Sequence, residues 1–374
     1  MLVMLSSPIA SRMDGVSRYA REKGWHLMFQ DRMGFAHPFD WMGDGVVATI
    51  RREPRWLAFL RHLALRGVPI VDLTCDVPRF RCARVSADHV SAGRLAAAHL
   101  AERNYRSRVF FTLDWDGNVR NRIWRGFTES GPAEKWVFSR ECPNVRWDDW
   151  DAVGRWLAGK FAAADKPLGV LAYSQGEAVL LMDAALGLGI RVPDELGVIA
   201  GNDDPILLES QPVPVTAVDT DLERGAYEAA ALLDKLMDRP GGRALQRQLA
   251  EIPPRGVVVR RSTAEAVSGD PLVGGALRLF AEGMSSGVGV EDIARRLGVA
   301  RNTLDRRFAA EFGRSASAEF HRQRVALAKR LLADSRNKVE YVARVTGFSS
   351  ASHLGTALRA NCGLSPRELR VVKI

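Results

Sequence analysis

The stretch Val290–Gly313 reads VEDIARRLGVARNTLDRRFAAEFG, and its pattern returns in Val342–Gly363, VARVTGFSSASHLGTALRANCG. Ile293, Ala294, Leu297, Gly298 and Val299 match Val342, Ala343, Thr346, Gly347 and Phe348. Leu304, Phe308, Phe312 and Gly313 match Leu354, Leu358, Cys362 and Gly363. The offset is 49 up to Phe348 and 50 from Leu354 on, so the second copy has one extra turn residue. The shared spacing suits a packed helix pair. A small Ala lets the second helix cross closely, Gly permits positive φ in the tight turn, and the next apolar residue plugs the corner. Two helix-turn-helix units on one chain can place two recognition helices in successive major-groove segments without a dimer. The pattern predicts double-stranded DNA as a partner.

Charge points to the same region. Residues 271–374 hold 18 Lys+Arg against 9 Asp+Glu, while residues 1–270 hold 35 of each sign. The net charge of +9 therefore sits entirely beside the repeated motif. Phosphate neutralisation supplies most non-specific DNA affinity, so this confinement says more than the overall pI. A solvated basic surface without a partner is the plain alternative.

A length of 374 residues allows two or three domains, each with its own core. The start, Met1-Leu2-Val3-Met4-Leu5, has no basic residue ahead of its apolar run, unlike a signal peptide. No uninterrupted apolar stretch approaches the ~18 residues of a membrane span. Cys75, Cys82, Cys142 and Cys362 are scattered, with no C-x-x-C pair. Neither a metal site nor a disulfide framework follows, and reduced thiols in a cytoplasmic protein are expected.

Residues 1–260 alternate apolar runs with helical periodicities. The runs include Leu2–Leu5, Gly45–Thr49, Val109–Leu113, Leu168–Ala172 and Leu196–Ala200; Leu57, Leu60, Leu63 and Ala64 show the helical spacing. Such alternation argues for parallel sheets covered by helices, and ~260 residues are too many for one sheet of ordinary size. A two-lobed α/β domain over 1–261 is expected. Lobe 1 would take about 1–104 and 222–250, and lobe 2 about 105–221 and 251–261. Ser262–Gly275, with Ser268-Gly269-Asp270-Pro271 and Gly274-Gly275, reads as a linker. An all-α double helix-turn-helix domain over 276–374 would follow. Ala316–Ala333, with Phe320, Val325, Leu327, Ala328, Leu331 and Leu332, predicts a long helix tying its two units together.

The last hundred residues resemble the DNA-binding domain of the AraC/XylS transcription regulators. The resemblance rests on Val290–Gly313, the spacer RQRVALAKRLLADS and the closing Gly363-Leu-Ser-Pro-Arg-Glu-Leu-Arg370. The first 260 residues resemble the LacI/GalR-type effector domain, which shares the fold of periplasmic sugar-binding proteins. The carrying stretches are Val85–Gly93, Ala98-His99-Leu100, Gly126-Phe127, Arg191–Val198, Gly201–Asp204 and Ile252–Val257. This order of domains is the layout of the bacterial xylose-operon regulators, to which Val218–Asp221 and Arg260–Thr263 are also similar. The resemblance implies a ligand-controlled, sequence-specific DNA-binding regulator. Its effector would be a sugar such as D-xylose, with a non-sugar ligand or none as the alternative. No cofactor and no membrane partner are implied. Contact with RNA polymerase and a homodimer both remain open.

In such a domain the ligand lies between the lobes at the carboxyl ends of the strands. Sugar sites pair carboxylates with vicinal hydroxyls, because one carboxylate accepts two charge-assisted hydrogen bonds. The resemblance gives this role to Asp88 and Asp203, with Asp219 a weaker candidate. Asp88 also fits the N-cap of the helix that follows, and Asp203 a polar loop before Pro205. Two departures stand out. Ser174-Gln175 replaces the usual Asn-Asp pair, so a ligand hydrogen bond must differ or pass through water. Ile123 stands where an arginine is expected, with Arg122 one position away as a substitute. Trp115 and Trp124 could stack on a sugar face or sit in the core.

On the first recognition helix Arg301, Asn302, Asp305 and Arg306 face outward. On the second the outward set is Ser349, Ser350, Ser352, His353, Thr356 and Arg359. Family members usually carry an arginine where Thr356 sits, so the second half is expected to bind more weakly. A serine-hydrolase reading of Ala172-Tyr-Ser174-Gln-Gly176 fails for want of a partner. The only downstream histidines, His321 and His353, lie in the helical domain. Gly283-Met-Ser285-Ser-Gly287 follows no strand, and Gly187-Leu-Gly189 lacks the third glycine of a dinucleotide loop. No catalytic or metal-binding residues are expected.

Overall fold

The structure, a computed structural model, describes residues 1–5, 9–30, 41–114, 117–146, 148–238, 248–264, 266–332 and 336–371. Two six-stranded sheets form the lobes. The first contains β1 (Leu2–Met4), β2 (Met28–Gln30), β3 (Val46–Ala48), β4 (Ile70–Asp72), β5 (Ala83–Ala87) and, from far along the chain, β11 (Leu249–Ile252). The second contains β6 (Ser107–Thr112), β7 (Glu134–Val137), β8 (Leu168–Ala172), β9 (Leu196–Ala200), β10 (Thr216–Asp219) and β12 (Gly256–Val258). Their orders are β11-β5-β4-β3-β1-β2 and β12-β10-β9-β8-β6-β7. All pairings are parallel except β12 against β10. The central strands, LGVLA and LGVIA in β8 and β9, are wholly buried and pair Leu168 with Leu196 through Ala172 with Ala200. Continuous apolar runs of this kind are what a sheet covered on both faces requires.

The helices of the lobes are α1 (Ala10–Lys23), α2 (Pro54–Leu65), α3 (His89–Glu102), α4 (Asn118–Thr128), α5 (Phe138–Glu141), α6 (Trp150–Ala163), α7 (Gln175–Gly187), α8 (Pro205–Glu209) and α9 (Leu222–Asp238). Helix α3 corrects the expected first crossing near residue 104. The chain passes to the second lobe at Asp88, because Ala92, Ala96, Ala97 and Leu100 bury against Phe110, Val119, Ile123 and Phe127 there. Gly93 and Gly126 make this crossing close. A Cβ on Gly93 would lie 2.1 Å from Ile123 O, and one on Gly126 1.9 Å from Val90 O. The return strand corrects the last crossing as well. Glu251 and Ile252 pair with Ser86 and Ala87 in the first sheet, so the chain changes lobe between Ile252 and Gly256.

The expected linker is also corrected. Ser262 donates to Val198 O (2.6 Å) and accepts from the Thr216 amide (2.8 Å). Thr263 Oγ1 lies 2.8 Å from His99 Nε2, and Val267 is buried with its amide on Arg103 O (2.9 Å). Small hydroxyl side chains with buried partners knit this segment into the second lobe. Helix α10 (Pro271–Gly283) then starts inside the expected linker, with Asp270 as N-cap and Pro at the first position. Gly274 and Gly275 are helical, not hinge, residues.

The C-terminal domain continues with α11 (Val290–Arg296), α12 (Arg301–Phe312), α13 (Ala316–Leu332), α14 (Val339–Val345), α15 (Ala351–Cys362) and α16 (Pro366–Val371). Phe280 stacks on Phe320 at 4.0 Å and Phe308 meets Phe320 edge-on at 5.5 Å, joining α10, α12 and the spacer α13. Such ring pairs contribute ~0.5–1.5 kcal/mol each beyond burial. The second unit is packed instead by Val342, Phe348, Leu354, Leu358 and Leu332. No helix among the described residues is long and apolar enough to cross a membrane.

Candidate functional site

The carboxyl ends of both sheets face a cleft of about 550 Å³. Ile9 and Arg12 reach it from the start of α1, Arg51 and Arg52 from beyond β3, Thr74 and Asp76 from beyond β4, and His89 from α3. The second lobe contributes Asp114, Arg120, Ile123, Tyr173, Ser174, Glu177, Asn202 and Thr220. Several are held rigidly. The Arg120 guanidinium lies 3.8 Å from the Tyr173 ring centroid, and its Nε donates to Thr112 Oγ1 at 3.1 Å. Asp76 Oδ1 accepts from the Val119 amide at 3.0 Å, linking the first lobe to the start of α4. A side chain at Gly117 (φ 112°) would strike that carboxylate, its Cβ falling 2.5 Å from Oδ1. Ser174 Oγ accepts from the Glu177 amide at 3.2 Å and so caps α7.

Burial sets the protonation of the cleft. Glu177 is pushed up to about 7 by desolvation, against the pull of Arg120 and of donors Leu113 N and Thr112 Oγ1, both 3.1 Å from Oε1. His89 is driven down to about 3 by burial, helped by the Arg122 and Arg12 charges, and is neutral near pH 7. Burial also lowers Arg12; Tyr173, Asp72 and Asp76 oppose the drop, while Arg51 adds to it.

The two helix pairs at the other end of the molecule share one geometry. Gly298 (φ 68°) and Gly347 (φ 73°) turn α11 into α12 and α14 into α15, and Gly313 and Gly363 end the second helix of each pair in the left-handed region. Glycine, with no Cβ, adopts that region at the least cost. Leu304 and Phe308, like Leu354 and Leu358, are buried. Arg301, Asn302 and Arg306 are exposed on α12, as are Ser352, His353, Thr356 and Arg359 on α15, with Ser349 and Ser350 just ahead of it.

Known proteins agree with both halves. Residues 97–263 match the periplasmic binding protein-like domain family and residues 293–371 a helix-turn-helix domain family. The xylose operon regulatory protein of Escherichia coli K12 is 25% identical over 96% of this chain and 93% of its own length. That of Haemophilus influenzae is 21% identical over 96% and 94%. A solved xylose-binding transcription activator superposes with a TM-score of 0.60 at 21% identity, covering 99% of this chain and 97% of the other. The chain is an AraC-type transcription regulator with a periplasmic-binding-protein-like effector domain. It is not an enzyme, and Ser174 is a helix cap rather than a nucleophile.

The regulator's cleft differs from the one expected. Of the expected ligand-binding residues, Ser174 lines it, while Asp88, Asp203, Asp219 and Arg122 do not. Trp115 lies outside the described residues. Trp124 packs on the second-lobe core, with the Lys135 ammonium 4.4 Å from its ring centroid. Asp88 is the N-cap of α3: Oδ1 accepts from the Val90 and Ser91 amides at 3.1 Å, and Oδ2 takes the Ser91 hydroxyl. Asp203 pairs with Arg260 at 2.8 Å. Arg122 bonds Glu251 and lies 4.0 Å from Asp88. Asp219 Oδ1 caps the Asp221 amide at 2.9 Å, and Arg255 pairs with Asp221 at 2.9 Å. Asp88, Asp219, Asp221 and Glu251, with Arg122 and Arg255, therefore gather where the chain crosses between lobes.

On the DNA-binding face Asp305 is partly committed: its Oδ1 accepts from the Ala316 amide (3.0 Å) at the start of α13, and Oδ2 lies 3.5 Å from Arg301. Ser350 Oγ accepts from the His353 amide at 3.1 Å and caps α15. Asn302 and Arg306 have no side-chain partner among the described residues.

Sequence reasoning missed Arg12, Arg51, Asp76, His89, Arg120, Glu177, Asn202 and Thr220. A signal existed for one of them. Arg120, Ile123 and Phe127 follow i, i+3, i+7, so an arginine one turn before Ile123 shares its inward face, whereas Arg122 does not.

Proposed function

We propose that the protein is a sequence-specific transcription regulator whose cleft binds a small polyhydroxylated effector, a sugar or sugar derivative. Relatives named as xylose operon regulators, and folds solved with cellobiose, ribose and lactose, support that ligand class. The observation that carries the reading is helix α3. Its first residue, His89, lines the cleft. Beyond its last turn, Asn104 Nδ2 lies 3.3 Å from Glu311 Oε2 on α12, and Arg106 pairs with Glu311 at 3.2 Å. Arg322 of α13 donates to Glu102 O at 3.3 Å. One rigid helix of 14 residues, ~21 Å long, thus joins the effector cleft to the first recognition helix.

Closure of the lobes around a ligand shifts α3 relative to the first sheet. A ligand that binds one arrangement better biases the helix-turn-helix pair by that difference in affinity, and no more. The expected outer contacts to DNA are Arg301, Asn302, Arg306, His353, Thr356 and Arg359. The test measures operator affinity of the full chain with and without pentoses and hexoses, then repeats it for Glu311→Ala. An active effector should change operator affinity several-fold in the wild type. Glu311→Ala removes a partly exposed ion pair and the long Asn104 hydrogen bond, so basal operator affinity should move by less than ~1 kcal/mol while the ligand response shrinks. An unchanged ligand response in Glu311→Ala refutes the α3 route.

A further inference from the structure

The cleft carries more positive charge than a neutral polyol needs. Arg12 and Arg51 both line it from the first lobe, and neither has a hydrogen-bond or ion-pair partner among the described residues. The cleft's carboxylates each hold another group, and Asp76 only attracts Arg12 through space. Asp76 Oδ1 holds the Val119 amide, Asp114 Oδ1 takes the Ser139 hydroxyl at 2.9 Å, and Glu177 Oε1 faces Thr112 and Leu113. Each guanidinium offers five donors in a planar fork that matches an oxyanion, and the Arg51 charge acts against the Arg12 charge across the cleft. Helix N-termini add to the field: α1 begins at the cleft with no acidic residue in its first turn, and α4 and α7 begin there too. Aligned peptide dipoles favour negative charge at such ends.

We propose that the effector is an anionic polyol, a sugar acid or a sugar phosphate, whose oxyanion is held by Arg12 and Arg51 while Arg120, Ser174 and Asn202 on the other lobe meet its hydroxyls. The anion neutralises the repulsion between these two first-lobe arginines while its hydroxyls reach the second lobe, so charge and closure are coupled. This inference rests on the effector reading given above and names the ligand class for the same cleft.

Titration calorimetry of the full chain with D-xylose, D-xylonate and D-xylose 5-phosphate at low ionic strength tests it. At least one anion should bind ~10- to 150-fold more tightly than xylose, the gain expected for hydrogen bonds to a charged group. Xylonate alone marks a sugar acid, and the phosphate alone a sugar phosphate. The preference should collapse in Arg12→Gln and Arg51→Gln. Unliganded variants should melt no lower than wild type, since each loses an unpaired charge. As a control independent of any variant's folding, raising salt should weaken anion binding to the wild type far more than xylose binding. Xylose binding as well as both anions, or anion affinity insensitive to salt and to both substitutions, overturns the inference alone. Binding by none of the three also overturns the inference, and the effector reading beneath it falls only if the pentoses and hexoses leave operator affinity unchanged as well.

Discussion

Replacing Glu177 by Gln removes a carboxylate that is 8% exposed and faces the cleft beneath Arg120. Oε1 already accepts from Thr112 Oγ1 and Leu113 N, contacts a Gln oxygen can keep. Oε2 has no hydrogen-bond partner among the described residues, so the ionised form is poorly compensated. Desolvation raises the folded-state group from 4.5 to about 7. A raised folded value means the native state holds this proton more tightly than the unfolded chain. Its stabilising contribution is fully present below pH ~4.5 and is lost as pH rises through ~7. At ~1.36 kcal/mol per unit, the loss between pH 5 and pH 8 is about 2–3 kcal/mol. Gln does not titrate, so any fixed cost of its amide shifts the whole curve without changing its slope. Asp72, also pushed up to about 7 by burial, is present in both proteins and cancels. Unfolding measured at pH 5, 6, 7 and 8 should show the variant gaining on wild type by that 2–3 kcal/mol. In melting temperature this is ~5–10 °C, at ~2–4 °C per kcal/mol for a body of this size. Parallel stability curves across this range would refute the argument that the buried carboxylate titrates in the folded cleft. A linked readout is available: sugar-acid affinity of the wild type should rise as pH falls through 7, and that rise should be smaller in Glu177→Gln, where only Asp72 near Arg12 still titrates in this range.

Gly126→Ala should destabilise the effector domain by ~1–3 kcal/mol despite Ala's better helix propensity, because its Cβ would stand 1.9 Å from Val90 O. Denaturant unfolding checks this, and a more stable variant would show that α3 and α4 do not cross so closely. Arg306→Ala should cost ~1–3 kcal/mol of operator affinity and relax one base position while leaving the melt unchanged. Asp305→Ala should instead lower stability by ~1 kcal/mol, since its carboxylate caps the Ala316 amide. Titrating both variants against operator DNA alongside thermal melts separates them, and the reverse pattern would overturn the assignment of roles.

The helical domain was legible in the chain because its determinants are local. The turn glycines at 298 and 347, the small Ala294 and Ala343, and the buried Leu304 and Leu354 act within two helical turns of one another, and the structure keeps that register. The two α/β lobes were legible for the same reason, through the apolar runs of β8 and β9.

The cleft was not legible to the same degree. Family positions pointed to Asp88, Asp203 and Asp219, yet each has a nearer partner in the fold: helix amides, Arg260 and the Asp221 amide. Arg260 near Asp203 and Arg122 near Asp88 are residues that only the folded chain brings close, so they cannot be read from the sequence around either aspartate. What the sequence by itself determined was therefore the kind of protein: two lobes, two helix-turn-helix units, and a cationic end. Only the tertiary structure decided where the lobes exchange strands, that Ser262, Thr263, Ala266 and Val267 are packed rather than loose, and that Arg12, Arg51 and Arg120 converge across 108 residues of chain. Local patterns fix elements because their partners lie a turn away. A cleft is assembled from strand ends that meet only after the sheets have formed, so its charge cannot be read until those ends are brought together.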